Sequence, residues 1–190
     1  RLAASASSLA ELERLLGAFE GCGLKATANK TVFADGAPGA DLMLVGEAPG
    51  RDEDMDGRPF VGRSGQLLDR MLAAIGRDRT SVYIANVIPW RPPGNRTPTP
   101  QEVEVCLPFV RRQIELAAPK LLVFLGGAAA SALLGTTDGV KKLRGRVLAA
   151  RVGDRDCRAV ATLHPAYLLR QPLEKRLAWR DMLLVKRALE

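Results

Sequence analysis

Four short apolar runs constrain the fold more than anything else in this chain: Asp41–Gly46 (DLMLVG), Val82–Val87 (VYIANV), Lys120–Leu125 (KLLVFL) and Arg158–Leu163 (RAVATL). Each is too short for a stable helix, and none alternates apolar with polar residues as a strand with one wet face does. They read as strands buried on both faces, which requires a sheet covered on both sides. The segments between them have helical spacing. Ser8-Leu-Ala-Glu11 forms a capping box opening a helix to about Phe19. Leu67, Leu68, Met71, Leu72 and Ile75 make one apolar stripe along Ser64–Ile75. Thr99-Pro100-Gln-Glu102 supplies a cap, a proline at the first helical position and a glutamate at the third, starting a long helix to about Ala118. The run GGAAASALLG and the stretch Leu173–Leu189 read as two more helices. Strands alternating with helices predict an α/β fold, a three-layer α/β/α sandwich with a central, mostly parallel four-stranded sheet. With no repeat and no linker long enough to divide it, residues 1–190 are expected to form one domain.

In such sheets ligands bind beyond the carboxyl ends of the strands. Those ends carry Gly46-Glu47-Ala48-Pro49-Gly50, Asn86, Gly126-Gly127 and His164-Pro165. Glycine, glutamate, asparagine and histidine at four strand ends are poor choices for packing, and together they point to a site. After Asn86 the chain runs through Val-Ile-Pro into Trp90 and then Arg91-Pro-Pro-Gly-Asn-Arg96. A loop of prolines, glycine and arginines cannot pack as core, so the tryptophan at its start needs a reason.

Charge narrows the partner. Lys plus Arg total 28 against 21 Asp plus Glu, a net +7, with a pI near 9.8. That balance fits a polyanion such as nucleic acid, although a merely basic soluble protein has the same composition. No stretch approaches the ~18 apolar residues of a membrane span, and no signal peptide is visible, although the chain starts at Arg1 and a truncated N-terminus stays open. Three widely spaced cysteines, Cys22, Cys106 and Cys157, are no disulfide framework, so the reducing cytoplasm is the expected location. A single histidine, His164, rules out any site that needs two imidazoles from this chain.

Four blocks, GEAPGRDEDMDGRPFVGRSGQLLDRML, NVIPWRPPGNRTPTPQEV, LGGAAASALLG and HPAYLLR, occur in order over about Cys22 to Trp179. Together they resemble the family 4 uracil-DNA glycosylases. The resemblance implies an enzyme that flips uracil out of DNA, hydrolyses its N-glycosidic bond and leaves an abasic site for base-excision repair. Such chemistry needs a stacking surface, a reader of the base edge, a donor to the charge on the leaving uracil and a placed water. Phe60 matches the stacking aromatic and Asn86 the base-edge reader, whose amide suits uracil N3–H and O4. His164 matches the donor to O2. Glu47 and Ala48 match positions lining the uracil pocket. Glu47 and Glu53 are both candidates for positioning water or the sugar cation. The acidic run around Glu53 can equally be a solvated loop. The superfamily's best-known branch has a water-activating aspartate at the place of Ala48, which family 4 generally lacks. At Gly50 that branch has a tyrosine that excludes thymine, so tolerance of other deaminated bases is open.

For the DNA grip the candidates are Arg63, Ser64 and Gln66 at a helix start, Arg91 and Arg96 around PPGN, Lys142 and Arg144 in a basic cluster, and Tyr167, Leu168 and Arg170 after the histidine, where superfamily members insert a wedge into the vacated stack. Family 4 enzymes usually carry a [4Fe–4S] cluster on four cysteines. Cys22 and Cys106 keep the second and fourth positions, while Phe19 and Trp90 stand at the first and third. Two thiolates are too few, so the expectation is no metal and no cofactor, with the aromatic rings filling the space as an apolar plug. The expected partner is uracil-containing DNA, single- or double-stranded, met by a monomer. The competing reading is a non-catalytic DNA-binding module that kept the fold.

Overall fold

The computed structural model describes residues 1–190. Its sheet has six strands: β1 (Asp35–Gly36), β2 (Leu42–Gly46), β3 (Tyr83–Asn86), β4 (Leu121–Leu125), β5 (Leu148–Val152) and β6 (Arg155–Thr162), in the order β1-β3-β2-β4-β6-β5. The four strands read from the apolar runs are the middle of this sheet, and all pair in parallel. The expected four-stranded sheet is corrected to six by two antiparallel edges, β1 on β3 and β5 on β6. Both edges escape pattern reading for physical reasons. A two-residue strand has no period. β5 forms a hairpin with β6 inside a segment dominated by arginine and glycine, and it buries only Ala150 and Val152.

Nine helices cover the sheet: α1 (Leu9–Ala18), α2 (Leu24–Thr27), α3 (Arg51–Asp56), α4 (Gly62–Ala73), α5 (Pro100–Ala117), α6 (Gly127–Leu134), α7 (Val140–Leu143), α8 (Pro165–Arg170) and α9 (Lys175–Leu189). The Thr99–Glu102 box forms reciprocally as expected, whereas the expected Ser8–Glu11 box is half made: Ser8 Oγ accepts from Glu11 N, but the Glu11 carboxylate accepts from Ser7 N and Oγ instead of Ser8 N. α4 starts two residues earlier than its apolar stripe, because Gly62 and Arg63 add a polar first turn. α9 starts at Lys175, after a 3₁₀ turn at Pro172–Glu174.

Side-chain alternation in the buried strands assigns the layers. Leu42, Leu44, Leu121, Val123 and Val160 face α4 and α9, packing with Leu68, Leu72, Met182 and Val185. Met43, Val45, Leu122, Phe124, Ala159 and Ala161 face the other way, onto Leu12, Val110, Ile114 and Ala130 of α1, α5 and α6. Both sheet faces are therefore dry, as the unbroken apolar runs require. Gly46 lies opposite Asn86, and Leu125 opposite Thr162. The parallel register thus delivers the ends of all four central strands to one edge.

Candidate active site

At that edge lies a cavity of about 720 Å³ lined by Glu47, Phe60, Asn86, Gly126 and His164 among others. Asn86 ends β3 with its side chain buried, and its Oδ1 has no hydrogen-bond partner. A buried acceptor left unpaired costs ~1–3 kcal/mol, a cost that a hydrogen-bonding ligand would remove. Gly46 makes the arrangement possible. A Cβ there would collide with both the Phe60 ring and Asn86 Oδ1, so the absent side chain lets ring and amide close over the strand end.

Phe60 arrives from the loop before α4 with φ 54, a conformation that costs a non-glycine residue ~1–3 kcal/mol. Its ring centroid is 5.3 Å from that of His164, tilted by 34°. His164 follows β6 and caps α8, its Nδ1 accepting from Ala166 N at 3.0 Å. That bond leaves the proton of a neutral imidazole on Nε2. Burial, helped by the positive charge of Arg170, lowers the His164 pKa to about 4, so the ring is an uncharged donor near neutral pH. Gly126, with φ 98, brings the start of α6 against His164, where a Cβ would stand 3.1 Å from the histidine's own.

Glu47 is half-buried in the cavity wall, and burial alone raises its pKa. Ala48 lines the cavity beside it with no polar side chain. Glu53, the other carboxylate considered for positioning water, also lines the cavity, and each of its oxygens holds a backbone amide. Its Oε1 accepts from Gly50 N and its Oε2 from Val61 N, both at 2.9 Å. The acidic run is no solvated loop either: it is α3, and buried Asp54 accepts from the amides of Asn29 and Lys30 and from Asn29 Nδ2. Sequence alone could not reveal these partners, because all but Gly50 come from loops that fold back on α3.

The DNA-grip candidates divide. Arg63, Ser64, Tyr167 and Arg170 line the cavity, as does Arg96, whose guanidinium is already shared with Glu102 at 2.8 and 2.9 Å. Gln66 is exposed one turn further along α4, and Lys142 is exposed 3.3 Å from Asp138. Arg91 is half-buried and donates to Asn95 Oδ1. Two candidates turn inward and are corrected. Arg144 makes a two-pronged ion pair with fully buried Asp181, 3.0 Å at each prong. Leu168 is completely buried in the α4–α9 layer, so it cannot enter a base stack as it stands. Sequence reading missed Arg51, an exposed cation on the cavity rim directly after GEAPG. Its place one residue past the turn was the available signal.

The model of the uracil DNA glycosylase superfamily matches residues 33–184. The chain is 40% identical to the type-4 uracil-DNA glycosylase of Archaeoglobus fulgidus over 169 residues, 87% of this chain and 85% of that protein. It is 41% identical to the type-4 enzyme of Thermotoga maritima over 150 residues, covering 78% and 77% of the two. The chain belongs to the type-4 uracil-DNA glycosylases. It is also 33% identical to a type-5 uracil-DNA glycosylase of Pyrobaculum aerophilum over 147 residues, 68% of this chain and 62% of that one.

Against the four-cysteine cluster that the resemblance to family 4 implies, this type-4 chain presents a different interior. Cys22 and Cys106 are buried neighbours, and burial together with that contact pushes the Cys106 thiol pKa upward. Trp90 is 1% exposed, and its Nε1 donates to Thr31 Oγ1 at 2.8 Å. Phe19 packs on Phe109, ring centroids 4.9 Å apart, and covers Gly21. No three His, Cys, Asp or Glu side chains gather as metal ligands. These residues do not fit a cluster held by four thiolates. The tryptophan at the start of the proline loop is core, and it fixes where that loop leaves the protein.

Proposed function

We propose that this chain excises uracil from DNA by hydrolysis assisted by Phe60, Asn86, His164 and Glu47. The observation that carries the reading is the buried, unpartnered Oδ1 of Asn86 at the floor of the cavity, beside the Phe60 ring. Uracil N3–H is a donor that would satisfy this acceptor, and the amide's NH₂ faces O4. Cytosine presents an acceptor at N3 and a donor at N4, which opposes both groups.

The base is extruded from the stack and held against Phe60. As the C1′–N1 bond breaks, its electron pair moves onto the uracil and the sugar becomes oxocarbenium-like. His164 Nε2–H donates to O2, where the negative charge accumulates, an interaction stronger in the transition state than in the ground state. Glu47 orients the water that adds to C1′ and stabilises the sugar cation. The water's proton passes to solvent and the uracil anion takes one up in turn, giving free uracil and an abasic site. Glu53 acts through the backbone it binds. Arg51, Arg63 and Arg170 face the phosphates, the main source of affinity for such a surface. The chain works as one domain and as a monomer, on single- or double-stranded DNA. Its three unpaired cysteines support action in the reducing cytoplasm. Gly50 on the cavity wall leaves room at C5 of the base, which supports tolerance of other deaminated bases.

The test is excision from end-labelled oligonucleotides carrying one uracil, hypoxanthine or xanthine, single-stranded and duplex, with alkali cleavage of abasic sites and Asn86→Leu alongside. Cleavage at uracil that Asn86→Leu abolishes supports the reading. DNA binding without cleavage by the unaltered protein would make the chain a binding module.

A further inference from the structure

Phe60 occupies a backbone region that glycine adopts freely and other residues rarely do. The chain holds it there from both sides. On the C-terminal side, Glu53 Oε2 accepts from Val61 N at 2.9 Å. On the N-terminal side, Arg79 Nη1 donates to the carbonyl oxygen of Pro59 at 2.9 Å. Arg79 is itself immobilised. Its Nε donates to Asp69 Oδ1 of α4 at 2.8 Å, and Nη1 also reaches Asp35 Oδ2 of β1 at 2.9 Å, with the side chain only 18% exposed. Beneath the same turn, a Cβ on Gly65 would overlap the Phe60 carbonyl oxygen. Arg79 therefore ties three separated parts of the chain to the one peptide that precedes Phe60.

We propose that Arg79 is a positioning residue for uracil excision: with Glu53 it locks the peptides flanking Phe60, and so keeps the ring against Gly46 where the base is held. Arg79 does not line the cavity, so it does not touch a base held there. Released from this clamp, Phe60 would relax towards an ordinary conformation and carry its ring off the strand end. A planar guanidinium is suited to the task because it bonds two carboxylates and a carbonyl in fixed directions, which an ammonium does not reproduce. The inference rests on the reading of Phe60 as the surface on which the base stacks.

The experiment is a double-variant cycle read by single-turnover excision and by affinity for DNA containing a stable abasic-site analogue. All assays run at a temperature where circular dichroism shows every variant folded. Arg79→Ala is expected to slow excision about 10–100-fold, as a small misplacement of a reacting group does, with affinity for abasic DNA changed less than about twofold. Arg79→Lys recovers part of the loss. Gly65→Ala, whose methyl would overlap the Phe60 carbonyl and crowd Arg79 Nη2 at 3.2 Å, disturbs the same turn from below and should slow excision as well. If Arg79 acts through Phe60, the Arg79→Ala/Phe60→Ala protein is no slower than Phe60→Ala alone. Multiplying losses in the double variant, or a fall in abasic-DNA affinity that matches the fall in rate, would overturn the proposal. Undiminished excision by Phe60→Ala would instead remove the stacking reading on which it stands. Should Arg79→Ala fail to fold, Arg79→Lys runs through the same cycle and decides it.

Discussion

The imidazole of His164 faces the ring of Phe60 at 5.3 Å while its Nδ1 is held by the Ala166 amide. One ring nitrogen is thus fixed as acceptor and the other left as donor. With its pKa lowered to about 4 by burial and by Arg170, His164 stays neutral throughout the physiological range. The excision rate should show no titration near the ordinary histidine value of about 6.5. His164→Ala should reduce single-turnover excision by ~10²-fold or more, the effect of losing a donor to developing charge. Stability is linked to the same group. The folded pKa lies below the unfolded one, so this contribution is complete above the unfolded value and is lost as pH falls from about 6.5 towards 4. A denaturation series over that window, compared with His164→Ala, measures it.

Glu47 is shifted in the opposite sense. Burial raises its pKa, so the folded protein holds this proton more tightly than the unfolded chain does. The stability it gives is present at acid pH and lost as pH rises through the folded pKa. At neutral pH Glu47→Gln is therefore expected to melt no lower than the unaltered protein, while excision falls ~10²-fold if the charged carboxylate is needed. The acid limb of the rate profile should lie above the ordinary glutamate value and vanish in the variant.

Asn86 makes a related trade. Its buried Oδ1 has no partner in the chain, so Asn86→Leu, similar in size and apolar, should raise stability by about 1 kcal/mol. The same variant should lose uracil excision. Thermal melting and the oligonucleotide assay on one preparation read both effects.

The convergence of Glu47, Asn86, Gly126 and His164 was legible because a parallel sheet sends its strand ends to one edge, whatever the helices do. Phe60 was legible only through its motif; nothing in GRPFVG reveals the positive φ or the support from Arg79, which lies 19 residues on. Arg144 and Leu168 were misjudged for a common reason. Local sequence marks one as basic and the other as part of a site segment. Burial, however, is decided by distant partners, Asp181 for Arg144 and the α4–α9 layer for Leu168. Glu53 shows the converse: a carboxylate in an acidic run gives no sign that it lines the cavity while each of its oxygens holds a backbone amide.

The interior around Trp90 should behave as core. Trp90→Ala is expected to cost ~3–5 kcal/mol in urea denaturation, and Thr31→Val about 1 kcal/mol through loss of the indole's acceptor. Protein made in iron-replete medium should contain no stoichiometric iron, and Cys22→Ser with Cys106→Ser should retain excision. Iron bound at four atoms per chain would contradict the packing seen here.

Arg144 and Arg170 separate fold from grip. Arg144 pairs with an aspartate that is fully buried and also accepts from Thr162 Oγ1 at 2.7 Å. Arg144→Ala strands that charge and should cost ~3–5 kcal/mol, with no change in how DNA affinity depends on salt. Arg170 is exposed on the cavity rim and makes no ion pair within the chain. Arg170→Ala should leave denaturation within ~0.5 kcal/mol of the unaltered protein and lower the slope of log affinity against log salt by about 1, as one lost phosphate contact does. Binding titrations at several salt concentrations, beside denaturation of both variants, distinguish the two arginines. A change of slope in Arg144→Ala would mean that its guanidinium leaves Asp181 when DNA binds.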